Sequence, residues 1–199
     1  GGISGWKGGV AGQQILSLGT VSSSIPSLLF AFVFILAIGP IHGFGVFLLG
    51  LGLTGWAELT NTVNAAVRWV KSQRYMEGAL VIGSSPGHIA RRHLLPNIMP
   101  QLLPAVALEI SAVLLTLGEL GFLGIFIGER YFGNIPQSIT TVGVTEWAGM
   151  LAGTRLALFQ WPWLPLSPAL AFMITILGLN LLAMGLRTYL DPMQSRLRN

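Results

Sequence analysis

The run LPLSPALAFMITILGLNLLAMGL, residues 164 to 186, contains no Asp, Glu, Lys or Arg. A helix rises about 1.5 Å per residue, so this stretch is long enough to cross the roughly 30 Å of hydrocarbon in a bilayer. The charge-free zone extends back to Leu156, and a second one reaches from Gly8 to Ala57. Only 9% of the 199 residues are charged while 52% are hydrophobic, with a mean hydropathy of +0.69. A soluble domain carries about a quarter charged residues. This chain lacks the polar surface that water requires, and the bilayer is its expected solvent.

Working outward from the last span, three more stretches qualify. One runs from about Thr20 to Ile38, interrupted by Pro26 near its start and closed by Gly39-Pro40. Another begins near Gly43 and leaves the apolar phase after Trp56-Ala57, where Glu58, Asn61 and Asn64 announce water or a protein interior. A third follows Pro96, Pro100 and Pro104, and carries Ala105 to Leu117 or on to Phe126. The expected fold is an all-α membrane protein: a polytopic helical bundle with four transmembrane helices and a cytoplasmic elbow. No internal repeat, heptad pattern or low-complexity tract interrupts it.

Charge orients these spans. Arg68, Lys71, Arg74, Arg91 and Arg92 face only Glu77 within the 68–92 segment, and Arg187, Arg196 and Arg198 make the tail basic. Basic loops stay on the cytoplasmic side, so both ends of the chain are expected there. The 118–163 segment holds Glu119, Glu129 and Glu146 against Arg130 and Arg155, and is expected outside. Its alternating glycines and aromatics read as irregular, partly re-entrant or interfacial. Trp161 and Trp163 suit the headgroup belt. The basic residues serve as topology signals rather than a nucleic-acid surface. The absence of cysteine excludes disulfides and thiolate chemistry. The opening Gly1-Gly2-Ile3-Ser4-Gly5-Trp6-Lys7 has neither a starting Met nor the pattern of a signal peptide, and reads as the middle of a longer protein.

Between the second and third spans lies the segment with mechanical character. Gly83 is a natural C-terminal cap for the incoming helix. Ser85 is placed to cap a new helix, and Pro86 suits its first position. That second helix is expected to stop before Pro96. Two short helices meeting at a bend, between membrane spans, form a part that passes a push from a soluble partner into the bilayer. An ordinary cytoplasmic loop is the plain alternative.

The run Glu77-Gly78-Ala79, with Gly83, Ile89, His93, Leu95, Pro96 and Asn97, resembles the EAA motif of bacterial ABC importer permeases. Its His-x-Leu-Pro-Asn ending is similar to the dipeptide, oligopeptide and nickel permease family. Gly5-Trp6-Lys7-Gly8-Gly9, Ile25-Pro26-Ser27-Leu28-Leu29, Phe122-Leu123-Gly124, Trp147 with Met150-Leu151, and Pro162-Trp163 follow in the family's order. Asn180-Leu181-Leu182, Gly185-Leu186-Arg187 and Leu190-Asp191-Pro192 resemble the end of the C-type subunit. The resemblance covers nearly the whole chain.

It implies a single permease domain over 1–199 of the type I ABC importer kind, with an EAA loop and coupling helix at 65–96 and an extracytoplasmic segment at 118–163. Family members usually carry two further spans ahead of the glycine-rich turn, which implies missing N-terminal spans. The implied partners are a sister permease, two ATP-binding subunits, an extracytoplasmic solute-binding protein and membrane lipid, without nucleic acid. ATP and Mg would bind the partners, leaving this chain without cofactor, metal or catalytic residues. Coupling to the ATPases would fall to Glu77, Gly78, Ala79, Gly83, Ser84, Ser85, Pro86, Gly87, His88 and Ile89. The implied activity is import of peptides, or of nickel or another small solute, by alternating access in the bacterial or archaeal cytoplasmic membrane. Three departures stand out: Gly78 where Ala is usual, Glu146-Trp147-Ala148 for Ser-Trp-Gly, and Ala183-Met184 for Gly-Asp.

Other signals carry less. Gly50-Leu51-Gly52-Leu53-Thr54-Gly55 spells a dinucleotide pattern without the strand it needs, and reads as helix packing, as do Gly39 to Gly43, Gly124 to Gly128 and Gly149 to Gly153. No G-x-x-x-x-G-K-[ST] occurs. His42, His88 and His93 are too scattered for a metal site, and His93 is expected to cap or pack near Pro96. Glu109 and Glu119 fall in or beside the third span, where carboxylates face water, a partner or a cation. They line the translocation path or pair with a sister subunit. In a rival reading, an ion-coupled secondary transporter or channel, they are the coupling residues; a membrane scaffold without transport is the third class.

Overall fold

A computed structural model describes residues 10–39, 43–81, 84–127 and 146–196. Among them every regular element is helical. In chain order these are α1 (Val10–Ser23), α2 (Ser27–Ile38), α3 (Phe44–Lys71), α4 (Arg74–Val81), α5 (Pro86–Ile89), a π turn (Ala90–Leu94), α6 (Leu95–Leu123), α7 (Trp147–Thr154), a 3-10 turn (Arg155–Phe159) and α8 (Trp163–Arg196).

Among the described residues two helical runs are long and apolar enough to cross a membrane: Gly87–Leu123 and Trp163–Leu190. In the most apolar window of the latter, only 11% of residues are buried. Ile174, Leu177, Leu181 and Met184 all stand open. Apolar surface left uncovered at this density belongs against lipid or another subunit, not water. The α1–α2 pair makes a third span if the two helices count as one. The break falls at Pro26, which has no N–H to continue the ladder and forces the preceding residue out of the helical region. α2 restarts directly, with the Phe30 N–H donating to the Pro26 carbonyl at 3.0 Å.

The expected element ends shift in three places. α3 does not end where its apolar phase does, but continues unbroken to Lys71. α6 runs through Pro100 and Pro104 instead of beginning after them. Helix also does not stop before Pro96. The Leu95 N–H donates to the Ala90 carbonyl, five residues back, and this wider turn eases the clash between the Pro96 ring and the carbonyl four residues before it. The 118–163 segment is not irregular throughout: it contains the end of α6, all of α7 and the 3-10 turn, while 128–145 lies outside the described residues.

The chain forms two compact units. One contains α1, α3 from Trp56, α4, α5, α6 to Glu109, and α8 from Leu179. Its core is Ala66, Val67 and Val70 of α3, Met76 of α4, Ile89 of α5 and Ile98 of α6. The other contains α2, α3 to Gly55, α6 from Ile110, α7, and α8 to Gly178. It has two clusters, one around Ile35, Phe47 and Leu120, the other around Phe126, Leu151 and Phe172.

Close helix approach in the second unit depends on small residues. A Cβ on Gly121 would stand 2.7 Å from the Ala148 Cα, so α6 and α7 touch backbone to backbone there. A Cβ on Gly50 would stand 3.1 Å from Ile35 Cγ1, as a packing role requires, whereas one on Gly52 would meet open space. Gly39 and Gly43 are turn residues with φ of 99° and 67°, not a packing stripe.

Candidate functional site

The candidate site is built on the hinge between α4 and α6. α3 is basic in its last turn, with Arg68 and Lys71, the sign that favours a helix C-terminus. The chain turns through Ser72 and Gln73 and re-enters helix as α4, closed by the Met76 N–H donating to the Gln73 carbonyl at 3.0 Å. Glu77, Gly78 and Ala79 all lie within α4, and Gly78 is exposed. Gly83, the expected pivot, lies outside the described residues.

The restart is capped as its sequence requires. The His88 N–H donates to Ser85 Oγ at 3.3 Å, and Pro86 takes the first helical position. The Ile89 N–H donates to the Ser85 carbonyl at 3.0 Å. From this cap the helical run proceeds through the π turn straight into α6, with no loop between. Whatever displaces Ser85 therefore acts on the root of a membrane helix.

One face of the restart is anchored and the other is free. Ile89 is 1% exposed and packs with Met76, Val67 and Val70, so it clamps α5 onto α3 and α4. Grouped with the contact residues by resemblance, Ile89 instead turns inward, because its side chain is the apolar one on that turn. Gly87 and His88 are exposed, and Ser84 is half-buried. Ser85, Gly87, His88, Arg91 and Arg92 line an open cavity of about 590 Å³.

His93 lies among aromatic neighbours. Its ring lies 6.3 Å from Tyr75 and 6.0 Å from His88, and its carbonyl accepts from Asn97 Nδ2 at 2.6 Å. Burial pushes the Tyr75 phenol up from its ordinary pKa. Among the described residues no group of three or more possible metal ligands is present.

The two carboxylates of α6 are not brought together: Glu109 is half-buried and Glu119 exposed, in different units. Glu109 instead lies near enough to Glu58 of α3 for the two charges to interact. That neighbour was not legible, since the two are far apart in sequence. Glu146 was noted only as a departure from the family pattern. Its Oε1 accepts the Ile127 N–H and ties the end of α6 to the start of α7. Burial raises its pKa, partly offset by that hydrogen bond. Arg155 adds a second tie through Nη1 to the Phe122 carbonyl at 3.3 Å, directly over Gly124.

The capped restart at Ser85 is continuous with a helical run long and apolar enough to cross a membrane. Residues 1–196 match the profile described as the inner membrane component of binding-protein-dependent transport systems. The chain belongs to that family. Among its described residues it is all-helical, with two helical runs long and apolar enough to cross a membrane.

Curated relatives of this inner membrane component agree. It is 30% identical over 175 residues to a probable peptide ABC transporter permease protein of Sinorhizobium fredii, covering 88% of this chain and 55% of the relative. It is 26% identical over 192 residues to an oligopeptide transport system permease protein of Bacillus subtilis, covering 96% and 58%. It is 29% identical over 193 residues to a probable D,D-dipeptide transport system permease protein of Escherichia coli, covering 96% and 59%. The chain thus spans less than two thirds of the length of these relatives.

Proposed function

We propose that this chain is one transmembrane half of an ATP-driven importer for peptides or related small solutes, working by alternating access. ATP and Mg sit on two partner ATPase subunits, a sister permease completes the pore, and an extracytoplasmic binding protein delivers the solute. The names of the relatives support the peptide class. Four spans with both chain ends in the cytoplasm, the 65–96 segment as the coupling elbow and 118–163 on the outer side complete the reading, which the basic residues of the elbow favour.

The observation that carries this reading is the continuity from the Ser85 cap to Leu123. A ligand or partner shifts a conformational equilibrium only through differential contacts with its two states. Here residues 84–88 lead without a loop into a helical run long enough to span the bilayer, so a soluble motor has something to push. Glu109 and Glu119 are assigned to the translocation path.

The test is reconstitution of the complete transporter in vesicles with a labelled oligopeptide and its binding protein. Uptake is expected only with ATP inside the cytoplasmic compartment and both ATPase subunits present. Uptake driven by an ion gradient in their absence would overturn the assignment.

A further inference from the structure

An open cavity of about 240 Å³ lies wholly within the unit that contains α7. It is lined by Leu114 and Leu117 of α6, by Glu146, Trp147 and Ala148 at the start of α7, and by Phe172 of α8. Phe172 is buried and meets the Trp147 ring edge to face, with centroids 5.6 Å apart. The indole is held in place while 42% of the residue stays exposed. Among the described residues that line the cavity, Glu146 is the one charged group. Its Oε1 accepts the Ile127 N–H, burial raises its pKa, and no cation among the described residues offsets that burial. Arg155 is engaged at the Phe122 carbonyl and does not line the cavity.

A carboxylate disfavoured by burial, set beside an indole and apolar walls, is matched by a cation with an apolar body. The charge pairs with the carboxylate and the ring face, and the body covers the leucines. Size narrows the ligand: cavities for drug-sized molecules run about 300–1,000 Å³, so this one takes a single residue-sized group. Charge narrows it again. An aminophospholipid headgroup also offers an ammonium, but its phosphate follows a short linker away and would enter beside Glu146, with no basic residue among the described lining to receive it. The amino-terminal residue of a peptide brings an ammonium and a side chain on one carbon, with no anion near them. Here the chain also departs from the pattern it resembles, with Glu146-Trp147-Ala148 where Ser-Trp-Gly is usual.

Resting on the importer reading, we propose that this cavity receives the amino-terminal residue of a peptide substrate, its ammonium on Glu146 and Trp147 and its apolar side chain against Leu114, Leu117 and Phe172. Glu146 then selects free over blocked amino termini.

The experiment uses the complete transporter in maltoside detergent, which contains no amine. The probe is the diazirine analogue of leucinamide, and the residues it labels are read by mass spectrometry. Saturable labelling is expected at residues 114–117, 146–148 or 172, about tenfold stronger than with the N-acetylated probe, which cannot make the charge-assisted bond. E146Q keeps an acceptor for the Ile127 N–H. It should bring the free-amine probe down to the acetylated level and leave the acetylated probe unchanged. Unlabelled Leu-Ala-Ala should compete, and its N-acetyl form should not. Equal labelling by the two probes, or E146Q labelling like wild type, overturns the proposal, and the comparison of probes needs no variant. Displacement of the probe by added phosphatidylethanolamine but not by Leu-Ala-Ala also overturns it, in favour of lipid. Labelling requires neither ATP nor transport, so these failures leave the importer reading intact. ATP-independent uptake in reconstituted vesicles would instead overturn that reading and not the cavity's selectivity.

Discussion

Gly78 sits inside the eight-residue α4 with open space where a Cβ would stand. A glycine in a helix interior costs about 0.5–1 kcal/mol relative to alanine, through backbone entropy alone. Gly78→Ala is therefore expected to stabilise α4 by about that amount, read as a higher thermal midpoint of the solubilised protein. A lower midpoint would show that the position is packed. Glu146 makes the opposite kind of residue-level statement. Burial raises its pKa, so the folded chain holds the proton more tightly than the unfolded chain does. The stability linked to that proton is present below the ordinary glutamate value of about 4.3 and is lost as pH rises through the raised folded value. Glu146→Gln keeps an oxygen to accept the Ile127 N–H but cannot ionise. Thermal midpoints measured from pH 4 to 8 should fall with rising pH more steeply in wild type than in Glu146→Gln. Parallel profiles would remove the carboxyl from the account. That tie was not legible in advance: Glu146 and Ile127 are nineteen positions apart, and no local pattern reports such a contact.

Among elements, the restart at Ser85 was the most legible because cap chemistry is local: the hydroxyl, the proline and the free N–H groups lie within four residues. The continuation through Pro96 was not, because proline reads as a stop unless the turn before it widens, and widening is decided by burial. Ile89 and Ile98 enter the same cluster on either side of the π turn, and that shared burial is what holds the distorted stretch helical. The span of α8 was legible from length without charge and that of α6 from an apolar run that outweighs Glu109 and Glu119, but α3 only in part, because its second half trades lipid for a protein core around Val67 and Val70. Ile89 is the joint on which the elbow depends. Ile89→Ala should cost about 2–5 kcal/mol by opening a cavity in that cluster. Hydrogen exchange should then quicken across residues 84–95 and 66–76 while residues 147–154, in the other unit, are unchanged. Uniform protection across both units would mean that Ile89 does not anchor the restart.

At the scale of the whole molecule, the proposed orientation turns on which side of the bilayer the elbow faces, and the chain is well suited to that question because it contains no cysteine. One introduced thiol is then the only one, and a membrane-impermeant maleimide reports its side without background. Ser72, at the turn before α4, and Gln160, just ahead of α8, are both exposed. Neither belongs to a hydrophobic cluster, so Ser72→Cys and Gln160→Cys should leave the fold intact. If basic loops have set the topology, Ser72→Cys is labelled in inside-out vesicles and protected in right-side-out ones, and Gln160→Cys shows the reverse. The two outcomes are linked through helix count. An odd number of crossings between residues 72 and 160 separates the sites, and the Gly87–Leu123 run supplies one. Labelling of both from the same side would require a second crossing or none, and the elbow would lose its route from a cytoplasmic motor to the pore.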